Sequence, residues 1–296
     1  KTLNIDFDDL KRKITKKTKA IMLINVLGIS SDLLKIKKIA NKKNIILIED
    51  NCESLGSKLK NKYLGTFGDY GSFSFYYSHQ ITSGEGGMVT CNKKEDYDIL
   101  FALRSHGWLG GTRFYKRNLK LYDKYASQNP KLDPRYIFIN SGFNLRPTDI
   151  QAAIAHNQFK RLGTLKRFRN INRNLIIEKI IKSKKWNNQF QFITIPKDID
   201  PSWMGLPILL SEKYKKKKQK FVNFLDSQGI ETRPVISGNF ANQPAAKLYK
   251  ICKKDEKFDN AQKVQDLGFL IGLHTKKLSK NNLKLIHDAF FMIDHI

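Results

Sequence analysis

FSFYYSHQITSGEGGMVT runs from Phe73 to Thr90. It begins as an apolar, aromatic strand and ends in a turn built from Gly84, Glu85, Gly86 and Gly87. Ser74 and, five residues on, His79 stand at the strand's mouth. Upstream, the apolar run Ala20 to Gly28 predicts a buried strand. SDLLKIKKIANKKN follows with Leu33, Leu34, Ile36 and Ile39 at helical spacing, and with Ser31 or Asp32 as the candidate cap. Ile45 to Asp50 predicts a second buried strand, Gly71 to Tyr77 a third and Gly86 to Asn92 a fourth. A helix through KEDYDILFALRSHG comes next. This alternation is α/β and implies a mostly parallel sheet covered by helices, with its site at the carboxyl ends of the strands. Asp50 and the Ser74–His79 segment both fall there.

Downstream, Trp108 to Asp133 is polar, aromatic and weakly periodic and reads as a long loop. RPTDIQAAIAHNQFKRL opens a helix, with Pro147 at its first turn and Asp149 complementing the helix dipole. A long basic helix, KRFRNINRNLIIEKIIKS, follows. FITIP, GLPILL and IETRPVI predict strands around a helix near Lys215 to Gly229, and the chain closes on the amphipathic NNLKLIHDAFFMIDHI. The expected division is a large domain over residues 1–162 and a small α+β domain over 163–296 that includes the linking helix.

The 296 residues carry 54 Lys+Arg against 27 Asp+Glu, a net charge of +27. Such an excess invites a nucleic-acid reading, which would bring steeply salt-dependent DNA affinity. The lysines, however, are scattered through every segment beside Ile and Asn, as on solvated faces. Only Lys213 to Lys220 is dense, and no nucleic-acid partner is expected. No apolar run reaches the roughly 18 residues of a membrane span, and no membrane partner is expected. Cys52, Cys91 and Cys252 form no CxxC pair and suit a reducing cytoplasm. No metal site is expected. The start, KTLNIDFDDLKRKI, has neither an initiator Met nor the apolar core of a signal peptide. It reads as the middle of a domain, with an N-terminal portion missing.

Taken singly, the candidate residues leave their roles open. Asp50 at a strand end needs a cation or strong donors, or it caps the turn NCESLG. Ser74 fits a satisfied core hydroxyl as well as a ligand, and His79 fits a histidine with no chemistry.

Taken in order, they resemble the sugar aminotransferase (DegT/DnrJ/EryC/StrS) family of fold-type I enzymes, which use pyridoxal 5′-phosphate. The resemblance rests on EDxxxxxG at Glu49 to Gly56, GTFGDxxxFSF at Gly65 to Phe75 and GEGG at Gly84 to Gly87. It continues with LRxHG at Leu103 to Gly107 and with GxNxRxxxxQAA from Gly142 through Asn144, Arg146 and Gln151 to Ala153. One position departs from the family's aminotransferases. Where they place a lysine that forms a Schiff base with the cofactor, this chain has His79, and imidazole cannot form a stable one. That swap, with SHQITSGEGGM and RPVISGNF (Arg233 to Phe240), is similar to the branch of nucleotide-linked 4-keto-6-deoxyhexose 3-dehydratases.

The resemblance implies a cytoplasmic homodimeric lyase of deoxysugar biosynthesis, of the lipopolysaccharide O-antigen type. It would use pyridoxal 5′-phosphate and pyridoxamine 5′-phosphate, with glutamate as amino donor. Its residues would be His79 as base, Asp50 on the pyridine nitrogen, Glu53 near the ring hydroxyl and Ser74 on the phosphate. Asn144 would reach the neighbouring subunit's cofactor phosphate, and Arg146 and Arg233 would face the anionic substrate. The three scattered cysteines offer no iron–sulfur cluster, which favours the glutamate-driven subtype. A catalytically inactive or aminotransferase-like member that binds a sugar nucleotide is the alternative.

Overall fold

The computed structural model describes residues 2–30, 32–109, 119–253 and 256–296. Its first sheet has the order β1 (Ala20–Ile24), β2 (Ile46–Asp50), β5 (Tyr70–Ser74), β6 (Gly87–Cys91). β1, β2 and β5 run parallel and β6 is antiparallel to β5. This is the mostly parallel α/β sheet expected. Ile24 pairs with Asp50 and Asp50 with Ser72, so β1 and β2 end at one level and β5 runs two residues further, to Ser74.

Ile21, Leu23, Ile45 and Leu47 pack on Leu33, Ile36 and Ala40 of the helix Leu33–Lys42. The other face differs from expectation. Met22, Ile24 and Ile46 are exposed, so β1 and β2 are buried on one face only. A strand alternates its side chains, and a single helix covers a single face. Asp32 holds the N-cap position at φ 57°, but its carboxylate pairs with Lys35 at 2.6 Å and bonds no backbone N–H. Ser31 lies outside the described residues.

Two helices differ from the sequence reading. Within the expected loop, Leu119–Gln128 is helical. Tyr122 lies in a core with Ala102, Leu109 and Ile137, and Leu121, Tyr125 and Ala126 pack against that core. Those four positions share a helix face, a short signal outweighed by the polar residues around it. Residues 110–118 lie outside the described residues. The two helices expected after Pro147 are one, Asp149–Ile181, which crosses the expected 162/163 boundary. Gly163 sits in open space, and one helical glycine costs only about 1 kcal/mol. Thr148 rather than Pro147 sets the start. Its hydroxyl accepts from Gln151 N, and the Gln151 side chain accepts from Thr148 N at 2.9 Å.

The second sheet, β10 (Thr232–Arg233), β11 (Gly268–Gly272), β9 (Gly205–Leu210), β7 (Phe190–Phe192), is antiparallel throughout. Its core is aromatic: Phe221 meets Phe269 edge-on at 5.8 Å, and Phe190 lies 5.1 Å from Phe290. β11, which holds two strands together, was not legible in the sequence. Its five residues follow directly on the helix Asp259–Leu267, without a turn between them. A two-stranded antiparallel pair, β3 (Lys58–Leu59) with β4 (Lys62–Tyr63), is joined through β3 to β8 (Ile199–Asp200), which leads into the second sheet. No helix among the described residues is long and apolar enough to cross a membrane.

Candidate active site

The placement of β5 beside β2 is fixed by a carboxylate the sequence reading passed over. Glu49 is fully buried. Its Oε1 accepts the N–H groups of Phe67 and Gly68, each at 2.7 Å, and its Oε2 accepts those of Gly65 at 2.9 Å and Asn25 Nδ2 at 3.3 Å. One side chain thus organises the GTFG turn that launches β5 towards Ser74. Asn25 and Asn51, both fully buried, extend the network through a 2.7 Å bond.

Asp50 follows, half-buried, with Oδ1 accepting Cys52 N at 3.0 Å. The turn-capping reading is therefore realised, and no cation of the described residues pairs with the carboxylate. The Cys52 thiol lies against it. Burial, with Asp50 next, pushes that thiol up to about 12 and keeps it protonated. Glu53 sits one turn on, half-buried, and accepts Leu27 N at 3.0 Å. Burial raises its pKa against the pull of that N–H, and the charge of Asp50 adds to the rise.

The unfolded carboxyl releases its proton before the folded one, so stability falls as pH rises from the ordinary value near 4.5 through the raised value. Glu53→Gln keeps an acceptor for Leu27 and removes the titration. Its melting temperature relative to wild type should climb across that window and then level. Parallel curves would mean that the carboxyl titrates alike in both states.

β5 ends at Ser74, whose Oγ accepts Tyr76 N at 3.2 Å. The chain then turns, His79 N donating to Tyr76 O at 3.1 Å, and the imidazole stands edge-on to the Tyr76 ring at 5.8 Å. Burial lowers the His79 pKa, and the Ser74 carbonyl and Asp50 oppose that shift. The neutral imidazole is favoured at neutral pH. Its Nδ1 is buried without a hydrogen-bond partner among the described residues. The next residue, Gln80, is almost wholly buried. Its amide donates to the carbonyl of Glu53 and, at 3.0 Å, to that of Ser202. Gln80 thereby ties the His79 turn to the Asp50–Glu53 turn and to the approach to the second sheet. Nothing in the local sequence signals that tie.

His79 opens into a cleft of about 610 Å³ whose opposite wall comes from the second sheet. Arg233 stands on that wall, paired with Glu231 at 2.7 Å and in contact with the Tyr77 hydroxyl. The structure therefore brings Asp50, Glu53, Ser74 and His79 to one sheet end, with Arg233 across the cleft. Asn144 and Arg146 are exposed and make no bond to this group. Asn144 bridges to Ser105 where two glycines cross: a Cβ on Gly107 would lie 1.9 Å from the Asn140 carbonyl oxygen, and one on Gly142 2.1 Å from Gly107 N. That crossing explains the glycines of LRSHG and GFNLR. The GEGG turn is tied to the following helix by Gln151 Nε2, which donates to Glu85 O at 3.1 Å.

These residues fit pyridoxal phosphate. An unpaired strand-end carboxylate, a buried imidazole nitrogen without a partner and a serine hydroxyl at the same sheet end are groups that a cationic, phosphorylated heteroaromatic would satisfy.

The model of the DegT/DnrJ/EryC1/StrS aminotransferase family matches residues 1–290. The GDP-4-keto-6-deoxy-D-mannose 3-dehydratase of Yersinia pseudotuberculosis is 35% identical over 285 residues, covering 95% of this chain and 68% of that protein. The corresponding E. coli dehydratase, solved with bound hydrated PLP, superposes with a TM-score of 0.83 at 32% identity. It covers 97% of this chain and 71% of its own. A GDP-4-keto-6-deoxymannose-3-dehydratase with a trapped PLP-glutamate geminal diamine gives a TM-score of 0.80 at 31% identity, over 97% of this chain and 72% of that one. The motifs, the sheet and the grouping of residues at its carboxyl end thus have one common account: the chain belongs to the DegT/DnrJ/EryC1/StrS aminotransferase family.

Proposed function

We propose that this protein is a pyridoxamine-phosphate-dependent 3-dehydratase of a nucleotide-linked 4-keto-6-deoxyhexose, with a GDP-linked sugar as the first substrate to test. The observation that carries this reading is His79. It is a neutral, half-buried imidazole beside Asp50 at the end of β5, where the family's aminotransferases hold a lysine. When bound, the cofactor supplies an electron sink that lets the bond between carbon 3 and its hydroxyl break.

The chain's own residues do the rest. Asp50, which pairs with no cation among the described residues, would hold the pyridinium N–H and keep it protonated. Ser74 donates to the phosphate. Glu53, whose raised pKa favours the neutral acid, stands by the ring hydroxyl without adding a second negative charge. His79 takes a proton as base and, as its conjugate acid, gives one to the oxygen leaving carbon 3. Arg233 meets the substrate's anionic part from the far wall, and Arg146 is a second candidate for it. Glutamate would be the amino donor.

Asn144 stands exposed between Phe143 and Leu145, exposed at 62% and 66%. That apolar setting supports a homodimer in which Asn144 reaches the partner's cofactor phosphate. The large and small domains divide near residue 162, within the helix Asp149–Ile181 that links them. The place of action is the cytoplasm, in deoxysugar assembly of the lipopolysaccharide type.

The test mixes the protein with pyridoxal phosphate, glutamate and GDP-4-keto-6-deoxymannose and reads the sugar by mass spectrometry. A 3-deoxy product is expected. A 4-amino product would make the protein a transaminase working without its lysine. Cofactor binding without any product over a panel of sugars would leave an inactive member of the family.

A further inference from the structure

Gln80, next in the chain to His79, is 3% exposed although it carries a full amide. Its Nε2 has two hydrogens. One goes to the Glu53 carbonyl and the other, at 3.0 Å, to the Ser202 carbonyl. Its Oε1 is buried without a partner among the described residues. Turning the amide over would set that oxygen against two carbonyl oxygens, so the orientation is fixed. A half-satisfied buried amide costs stability, and the position calls for a role other than stability. The far end of this clamp is itself held. Ser202 N donates to Ser57 Oγ at 2.8 Å, and a Cβ on Gly28 would lie 2.7 Å from the Ser202 carbonyl oxygen. Ser202 leads into β9 of the second sheet. One amide thus joins the turn that carries His79, the turn that carries Asp50 and Glu53, and the approach to the second sheet.

The imidazole depends on such a hold. Its Nδ1 has no partner among the described residues, and its backbone N–H reaches only Tyr76 in the same turn. A turn closed on itself fixes its own shape but not its place beside the neighbouring strand. We propose that Gln80 is a positioning residue: by clamping the carbonyls of Glu53 and Ser202, it holds His79 in register with the Asp50–Glu53 turn for proton transfer. The proton-transfer role of His79 rests on the dehydratase reading above, whereas the clamp does not. Loss of the clamp would let water reach the imidazole and relieve the burial that holds its pKa below 6.5. The other titratable and charged groups around the ring are Asp50 from β2, Tyr76 in its own turn, and Tyr77, Glu231, Arg233, Arg169 and His274 along the cleft. None of them bonds the Gln80 amide, whose two donors go to the main chain.

Gln80→Met keeps the length of the side chain and removes both donors. In the pyridoxal-phosphate-loaded protein it should lower kcat for the 3-deoxy product about 10–100-fold, the cost of a misplaced reacting group, with KM and cofactor affinity within about twofold. Gln80→Glu is closer in shape but should do worse than Gln80→Met, because its carboxylate meets two carbonyl oxygens. The His79 titration, followed by NMR of histidine-labelled protein and assigned with His79→Asn, should move up towards 6.5 in Gln80→Met. Ser57→Ala, which releases the Ser202 N–H and leaves Gln80 in place, should move both readouts the same way by less. An unmoved titration in folded Gln80→Met would overturn the proposal whether or not the wild type forms a 3-deoxy product. A raised KM at constant kcat would overturn it too and make Gln80 a binding residue. If the titration moves up while the wild type forms no 3-deoxy product, the clamp stands and the dehydratase reading fails. If Gln80→Met does not fold, Ser57→Ala decides: an unmoved titration there rejects the clamp, and an upward one sustains it.

Discussion

His79→Asn is expected to lower the rate of 3-deoxy product formation by about 10²–10⁴-fold, the usual contribution of a positioned general acid–base. Asparagine keeps the approximate size and a hydrogen-bonding edge but has no proton to exchange near neutral pH. The imidazole's backbone tie to Tyr76 and its place beside Ser74 belong to the main chain and to Gln80, so the fold and the cofactor grip should survive. Cofactor absorbance and the melting temperature are the controls. The wild-type pH profile adds a second check. Because burial holds the free enzyme's imidazole below its ordinary 6.5, the acidic limb of kcat/KM should fall below that value. A variant that retains full dehydration would remove His79 from the chemistry, and an acidic limb above 6.5 would assign that limb to another group.

Glu49→Ala should give the largest loss of stability of any single change considered. It strips the acceptor from the N–H groups of Gly65, Phe67 and Gly68 and from Asn25, all in a site without water access. Buried donors left without a partner cost about 1–3 kcal/mol each, partly relieved by relaxation. A loss of roughly 3–5 kcal/mol is the reasonable sum, comparable to breaking a buried charged contact. Glu49→Gln should fall between. Its amide oxygen can still accept from Phe67 and Gly68, but its NH₂ group then opposes the N–H of Gly65, donor against donor. Urea midpoints measure both. An alanine variant within about 0.5 kcal/mol of wild type, the range of an ordinary surface change, would mean the GTFG turn holds itself without the carboxylate.

The two experiments probe different layers of one design. Glu49 sets where β5 begins relative to β2, and hence where Ser74 and His79 end up, without touching the reacting atoms. His79 works only because that placement is secure.

Read without coordinates, the chain yields the family, the succession of the four strands of the first sheet and the residues at the strand ends. These are local properties. An apolar run bounded by charge and glycine predicts a strand, and a strand's carboxyl end is where the next residues emerge. The substitution of histidine for lysine is a single letter whose chemistry can be read without coordinates. Helix Leu119–Gln128 and strand β11 were obscured because their signals are short and depend on what covers them. Tyr122 becomes a core residue only when Ala102 and Ile137 lie beneath it.

Partnership across the chain was decided by the tertiary structure alone. Gln80 meets Ser202, 122 positions away, and Arg169 meets Leu273, 104 positions away. Whether a charge finds a counter-charge depends on which strand ends the helix crosses. For that reason Arg233 was visible in a motif, while Arg169 of the same cleft, which meets only backbone carbonyls among the described residues, was not.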